Sequence, residues 1–71
     1  MPLIQVTVAQ GRRPEQLHAL GVALTDAVQD TLSAPRDTIR VIITETSPDH
    51  WFTGGQSLAA RRAGAASGRE P

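Results

Sequence analysis

The chain has 71 residues, 39% of them hydrophobic and 20% charged, with a formal net charge of zero. That describes one small globular domain; it lacks the basic excess of a nucleic-acid binder and any apolar run long enough for a bilayer. Cysteine is absent, which excludes disulfides, thiolate metal sites and a cysteine nucleophile, and no charged-then-apolar leader opens the chain, so a cytoplasmic location is expected.

Leu3 to Ala9 alternates with period two, Ile4, Val6 and Val8 on one face against Gln5 and Thr7 on the other, and predicts a strand that Gly11 ends. Pro14 and Glu15 suit a helical first turn. Leu17, Leu20, Leu24 and Val28 then recur at three- and four-residue steps, predicting an amphipathic helix of about five turns, ended by Ser33-Ala34-Pro35. Ile39 to Glu45 predicts a second strand, with Ile39, Val41 and Ile43 on one face and Ile42 on the other. Apolar residues on both faces mark a parallel strand covered on both sides. Strand, helix and strand make a βαβ unit.

The turn Pro48 to Phe52 carries both aromatics, and Thr53-Gly54-Gly55-Gln56 predicts a short β-hairpin. Leu58 to Arg62 suits a last helical turn, closing a domain over residues 1–62. Residues 63–71, small and without large apolar side chains, are expected to form a disordered tail.

One helix cannot cover both faces of the second strand. In a chain this short, apolar burial and conformational entropy nearly cancel, and neither a disulfide nor a thiolate-bound metal is available. Assembly with further copies is therefore expected.

Catalytic inventories come up nearly empty. His18 and His50 are too far apart for a helical metal pair, and the Gly54-Gly55 pair follows no strand–helix pattern that would make a phosphate loop. The basic residues are seven arginines and no lysine, so any anion site must use arginine. Pro2 stands directly after the initiator methionine, and small second residues favour its removal. The product is a secondary amine. Nearby cations or an apolar pocket disfavour its charged form and lower its pKa, which suits a general base near neutral pH.

Taken in order, Pro2 to Val6, Gly11-Arg12, Glu15-Gln16, Ala34-Pro35, Ile39 to Glu45, His50-Trp51 and Gly54-Gly55 form a pattern that resembles the 4-oxalocrotonate tautomerase family. The resemblance spans roughly residues 2 to 62. It implies a tautomerase fold, α/β, with parallel strands, a C-terminal hairpin and sheets completed by oligomerisation. It also implies an isomerase that moves a proton between enol and ketone forms of a 2-hydroxydienoate such as 2-hydroxymuconate.

By the same resemblance, Pro2 is the base. Arg12 matches an arginine that binds the substrate carboxylate, and adjacent Arg13 does not. Arg40 matches one that binds carboxylate and polarises the carbonyl, and Trp51 stands where the family commonly has phenylalanine. A homohexamer, a trimer of dimers with sites shared between chains, is implied, with a small carboxylate as partner and no cofactor, nucleic acid or membrane. The residues themselves support these roles. Arg40 in an otherwise apolar strand is expected to be buried and to need an anion, and two guanidinium forks suit a dicarboxylate. His50 and Glu45 read as structural, and Arg36, Arg61 and Arg62 as solvated charge or as the rim of an anionic site.

Three alternatives stand beside this reading. A dehalogenase or hydratase of the same superfamily needs a further carboxylate near the pocket aromatic, which Trp51 to Gly55 lacks. A tautomerase serving a biosynthetic pathway rather than aromatic catabolism would act on a different enol. A non-catalytic oligomeric binding module would tolerate retention of Met1, which turns the Pro2 nitrogen into an amide.

Overall fold

A computed structural model, describing residues 1–66, gives the order β1 (Leu3–Ala9), α1 (Pro14–Leu32), β2 (Arg40–Thr46), β3 (Phe52–Thr53), β4 (Gln56–Ser57) and α2 (Leu58–Ala66). Single 3-10 turns, Arg36–Thr38 and Pro48–His50, lead into and out of β2. β1 and β2 pair in parallel from Leu3↔Arg40 to Ala9↔Thr46. β3 and β4 form a separate antiparallel hairpin. This is the expected βαβ unit with a C-terminal hairpin.

Pro14 opens α1, and Gln16 Oε1 reaches back to accept the Arg13 backbone N–H at 3.1 Å. Leu17, Leu20, Leu24 and Val28 form its half-buried stripe. Ser33 ends the helix in the left-handed conformation, φ 55°, before Pro35 forbids its continuation. β2 starts at Arg40 rather than Ile39. The Ile39 N–H is already committed to Arg36 O at 3.2 Å, so Arg40 is the first residue of this stretch to bond to the other strand, at Pro2 O, 3.0 Å. Its last residue is Thr46 rather than Glu45, and the Thr46 carbonyl accepts Gln10 N–H at 2.9 Å.

Ile4, Val6 and Val8 are half-buried with Val41 and Ile43 on the face toward α1. The opposite face presents Leu3, Gln5 and Thr7 beside Arg40, Ile42 and Thr44, with Leu3 55% and Ile42 48% exposed. No described residue is fully buried. The surface of 5198 Å² exceeds the ~4,300 Å² of a compact monomer of this size. The described residues thus close no core of their own, and the open sheet face is the surface that another copy is expected to cover.

Gly54 and Gly55, with φ of 60° and 84°, supply the two positive-φ positions that a two-residue hairpin turn requires. Ser57 Oγ then accepts the Ala60 N–H at 3.1 Å and caps α2. The helix runs to Ala66, past the domain end expected at residue 62. Alanine at 59, 60, 63, 65 and 66 carries the highest helix propensity of any residue, and this outweighs Gly64 and the lack of large apolar side chains. The remainder of the expected tail, residues 67–71, lies outside the described residues. No helix among the described residues is long and apolar enough to cross a membrane.

Gly21 lies inside α1, where a Cβ would meet Ile43 Cδ1 at 3.8 Å, an ordinary contact. Alanine fits there, favours the helix and narrows the unfolded ensemble. Gly21→Ala is therefore expected to raise stability by about 0.5–1 kcal/mol, measured as a higher denaturation midpoint at fixed protein concentration.

Candidate active site

The parallel register sorts the four expected site residues into two groups. Pro2 is half-buried just ahead of β1, and its carbonyl accepts the backbone N–H of Arg40 at 3.0 Å. Pro2 and Arg40 therefore share the N-terminal end of the strand pair. Arg12 is exposed in the loop that follows β1, and Trp51 is half-buried between the Pro48–His50 turn and β3. Both follow the C-terminal ends of their strands, where Gln10 bonds to Thr46. Seven-residue strands separate the two ends by about 20 Å.

Each position has a local cause. Gly11, at φ 130°, turns the chain out of β1 where a side chain would be strained, and Arg12 projects from that turn. Ser47 Oγ accepts the Asp49 N–H at 3.2 Å, Ser47 O accepts the His50 N–H at 2.9 Å, and Trp51 O accepts the Leu58 N–H at 2.7 Å. These bonds anchor the Trp51 backbone between a closed turn and the start of α2. His50 is exposed in that turn.

Arg40 corrects the sequence-based expectation. It is exposed rather than buried, because it opens β2 and the strand alternation turns positions 40, 42 and 44 to the uncovered face. Among the described residues no carboxylate pairs with Arg12 or Arg40; the ion pair that does form is Arg36 with Asp26, at 2.7 Å. Arg36 is therefore a surface charge held in an ion pair rather than an unpaired one. Its Nη1 donates to Asp26 Oδ1 at 2.7 Å and to Gln29 Oε1 at 2.8 Å. The spacing of Asp26 and Gln29, three residues apart on one helix face, is the signal that sequence reading passed over. Arg61 is half-buried and Arg62 exposed on α2.

An open groove of about 400 Å³ lies between α1 and β2, lined by His18, Gly21, Val22, Thr25, Arg36 and Val41. Its lining includes none of Pro2, Arg12, Arg40 or Trp51. The Thr25 hydroxyl in it donates to Gly21 O at 2.8 Å. This groove and the four expected site residues are therefore in different places.

Comparison with known proteins joins these observations. The sequence profile described as "Tautomerase enzyme" matches residues 2–61. A probable tautomerase of Ralstonia nicotianae is 47% identical over 62 residues, covering 87% of this chain and 89% of that protein. Among solved structures, TomN, a 4-oxalocrotonate tautomerase homologue in the tomaymycin biosynthetic pathway, superposes with a TM-score of 0.85 at 53% identity, covering 87% of this chain and 95% of TomN. A heterohexamer 4-oxalocrotonate tautomerase from Chloroflexus aurantiacus superposes with a TM-score of 0.79 at 39% identity, covering 83% of this chain and 95% of that one.

Proposed function

The chain belongs to the tautomerase family, and on that premise we propose that it is a keto–enol tautomerase of a 2-hydroxydienoate of the 2-hydroxymuconate type, with Pro2 as its base. Met1 is 85% exposed, so its removal disturbs no packing and frees the Pro2 amine. The uncharged amine takes the proton of the 2-hydroxyl group. The electron pair moves through the conjugated carbons, and the ammonium returns the proton to C3 or C5. The product is the ketone, and no atom is gained or lost. Arg40 holds a carboxylate and the oxygen on which negative charge develops, where fixed donors are most effective. Arg12 holds the other carboxylate, and Trp51 provides an apolar wall.

The observation that carries this reading is the Arg40 N–H to Pro2 O bond. It keeps a permanently cationic residue beside the residue whose amine must stay uncharged. The experiment is the ultraviolet time course of 2-hydroxymuconate ketonisation, with protein whose intact mass shows that Met1 is gone. Rapid conversion by the trimmed protein is the expected result. A fully trimmed protein that leaves the dienoate unchanged overturns this choice of substrate.

The separation of about 20 Å between the strand ends bears on how such a site is assembled. No small dienoate reaches from Pro2 to the Arg12 of the same chain. The reading therefore places the site between copies, in a cytoplasmic homohexamer built as a trimer of dimers, with Arg12 and Trp51 of one copy facing Pro2 of another. Co-refolding impaired Pro2→Ala chains with impaired Arg12→Ala chains should then raise activity well above that of either variant alone. At equal mixing, about a quarter of the sites combine an intact Pro2 with an intact Arg12. No recovery on mixing would place both residues of a site on one chain.

A second reading, a tautomerase acting on the enol of a biosynthetic pathway, is favoured by one observation, the 53% identity with the tomaymycin-pathway homologue. It keeps the same base and arginines and changes what lies against Trp51. A trimmed protein that is inactive on 2-hydroxymuconate but tautomerises a bulkier enol supports it.

A further inference from the structure

We propose that Arg36 is a positioning residue, a clamp that holds Arg40 and Pro2 in place by tying the turn ahead of β2 to the last turns of α1. The proposal rests on the roles given above to Pro2 and Arg40. After Ser33 the chain must reverse to bring β2 back beside β1, and the reversal is made by Ala34, Pro35 and the Arg36–Thr38 turn. Arg36 lies ten residues beyond Asp26 and seven beyond Gln29, yet a single nitrogen, Nη1, bonds to both side chains, at 2.7 and 2.8 Å. Both hydrogens of that nitrogen are used. The turn is thereby fastened at two points to one helix face.

The fastening continues through the backbone to the site. Within the turn, Thr38 donates to Pro35 O from its backbone N–H at 3.0 Å and from its hydroxyl at 2.7 Å. The Arg36 carbonyl accepts the Ile39 N–H at 3.2 Å, and the next residue, Arg40, donates its N–H to Pro2 O at 3.0 Å. One continuous set of bonds thus runs from α1 through Arg36 and Ile39 to Arg40 and Pro2. Arg36 and Asp26 are half-exposed, and exposed ion pairs add little to stability. The value of the clamp is placement. Catalytic groups moved by about 1 Å lose up to ~10²-fold in rate, and β2 starts at the point the clamp controls.

The test combines amide hydrogen exchange with steady-state kinetics on Arg36→Met, which keeps an unbranched apolar stem and removes the guanidinium fork. Exchange at Ile39 and Arg40 is expected to rise about tenfold, with the amides of residues 42–45 unchanged. The rate constant kcat should fall about tenfold with KM changed less than twofold, the mark of lost placement rather than lost binding. The swapped pair Asp26→Arg/Arg36→Asp should restore both, because the Gln29 amide can turn to donate where it had accepted.

Wild-type exchange at Ile39 and Arg40 in Arg36→Met overturns the proposal whatever the kinetics. Raised exchange with an unchanged kcat overturns it as well. Failure of the functional reading is distinct, since it appears as a trimmed wild type without turnover, and the exchange rates still decide whether the clamp holds.

Discussion

Pro2→Ala should lower kcat/KM for dienol ketonisation by about 10²-fold, within the 10²–10⁴-fold range contributed by a positioned general base. The variant still has an amine after Met1 is trimmed, so the loss measures what proline adds. A ring nitrogen has a fixed lone-pair direction, whereas the primary amine of alanine rotates freely and reaches the productive orientation less often. The backbone carbonyl that accepts Arg40 N–H is unchanged, and β1 and β2 should keep their register. Far-ultraviolet circular dichroism and oligomer mass should therefore match the wild type. Chains that retain Met1 have an amide at this position and no basic lone pair. Across preparations, activity should scale with the trimmed fraction read by intact mass. Full activity in Pro2→Ala, or in untrimmed protein, would sink the amine-base mechanism.

The next largest effect is expected from Arg40→Gln, at about 3 kcal/mol of transition-state stabilisation, by analogy with the loss of one oxyanion donor. That is roughly a 10²-fold loss in kcat/KM. Within one chain Arg40 makes no ion pair among the described residues, so removing its charge leaves no carboxylate of that chain unpaired. Its link to Pro2 is through the backbone N–H, which glutamine retains. Activity should fall while the denaturation midpoint moves little. The pH profile supplies a second readout. The base acts when uncharged, so kcat/KM falls as pH drops through the amine pKa. On the proposed reading the Arg40 guanidinium acts on the Pro2 amine, and removing that cation favours the charged amine, which should move this acid limb to higher pH. A change in kcat/KM under twofold, with an unmoved limb, would count against the role given to Arg40.

On the proposed reading both variants act within an assembly, since the described residues of one chain close no core of their own. The half-buried row Ile4, Val6, Val41 and Ile43 faces α1, and Leu3 and Ile42 on the opposite face are 55% and 48% exposed. In the proposed hexamer, activity and folded stability are expected to fall together on dilution, since the stability of an obligate oligomer is tied to protomer concentration.

Much of the fold was legible from local pattern. The alternation of Ile4, Val6 and Val8, the helical stripe Leu17-Leu20-Leu24-Val28 and the Gly54-Gly55 turn each identify their element within a few residues. Side-chain direction repeats every two residues in a strand and every 3.6 in a helix, and such periods need no knowledge of the rest of the chain. Element ends were harder to place. α2 runs to Ala66 because the Ser57 cap and a run of alanines outweigh one glycine. β2 begins at Arg40 because Arg36 O takes the preceding N–H.

The amino-acid order by itself determined the βαβ-hairpin succession, the absence of cysteine chemistry and the candidacy of Pro2, Arg12, Arg40 and Trp51. Only the tertiary structure decided how those residues are grouped. The pairing of Leu3 with Arg40 joins positions far apart in the chain, and no local period encodes such a register. It arises when β2 docks on β1 with α1 packed across them. That docking sets Pro2 beside Arg40, carries Arg12 and Trp51 to the opposite end, leaves the Arg40 side chain on the open face and brings Arg36 onto Asp26 and Gln29.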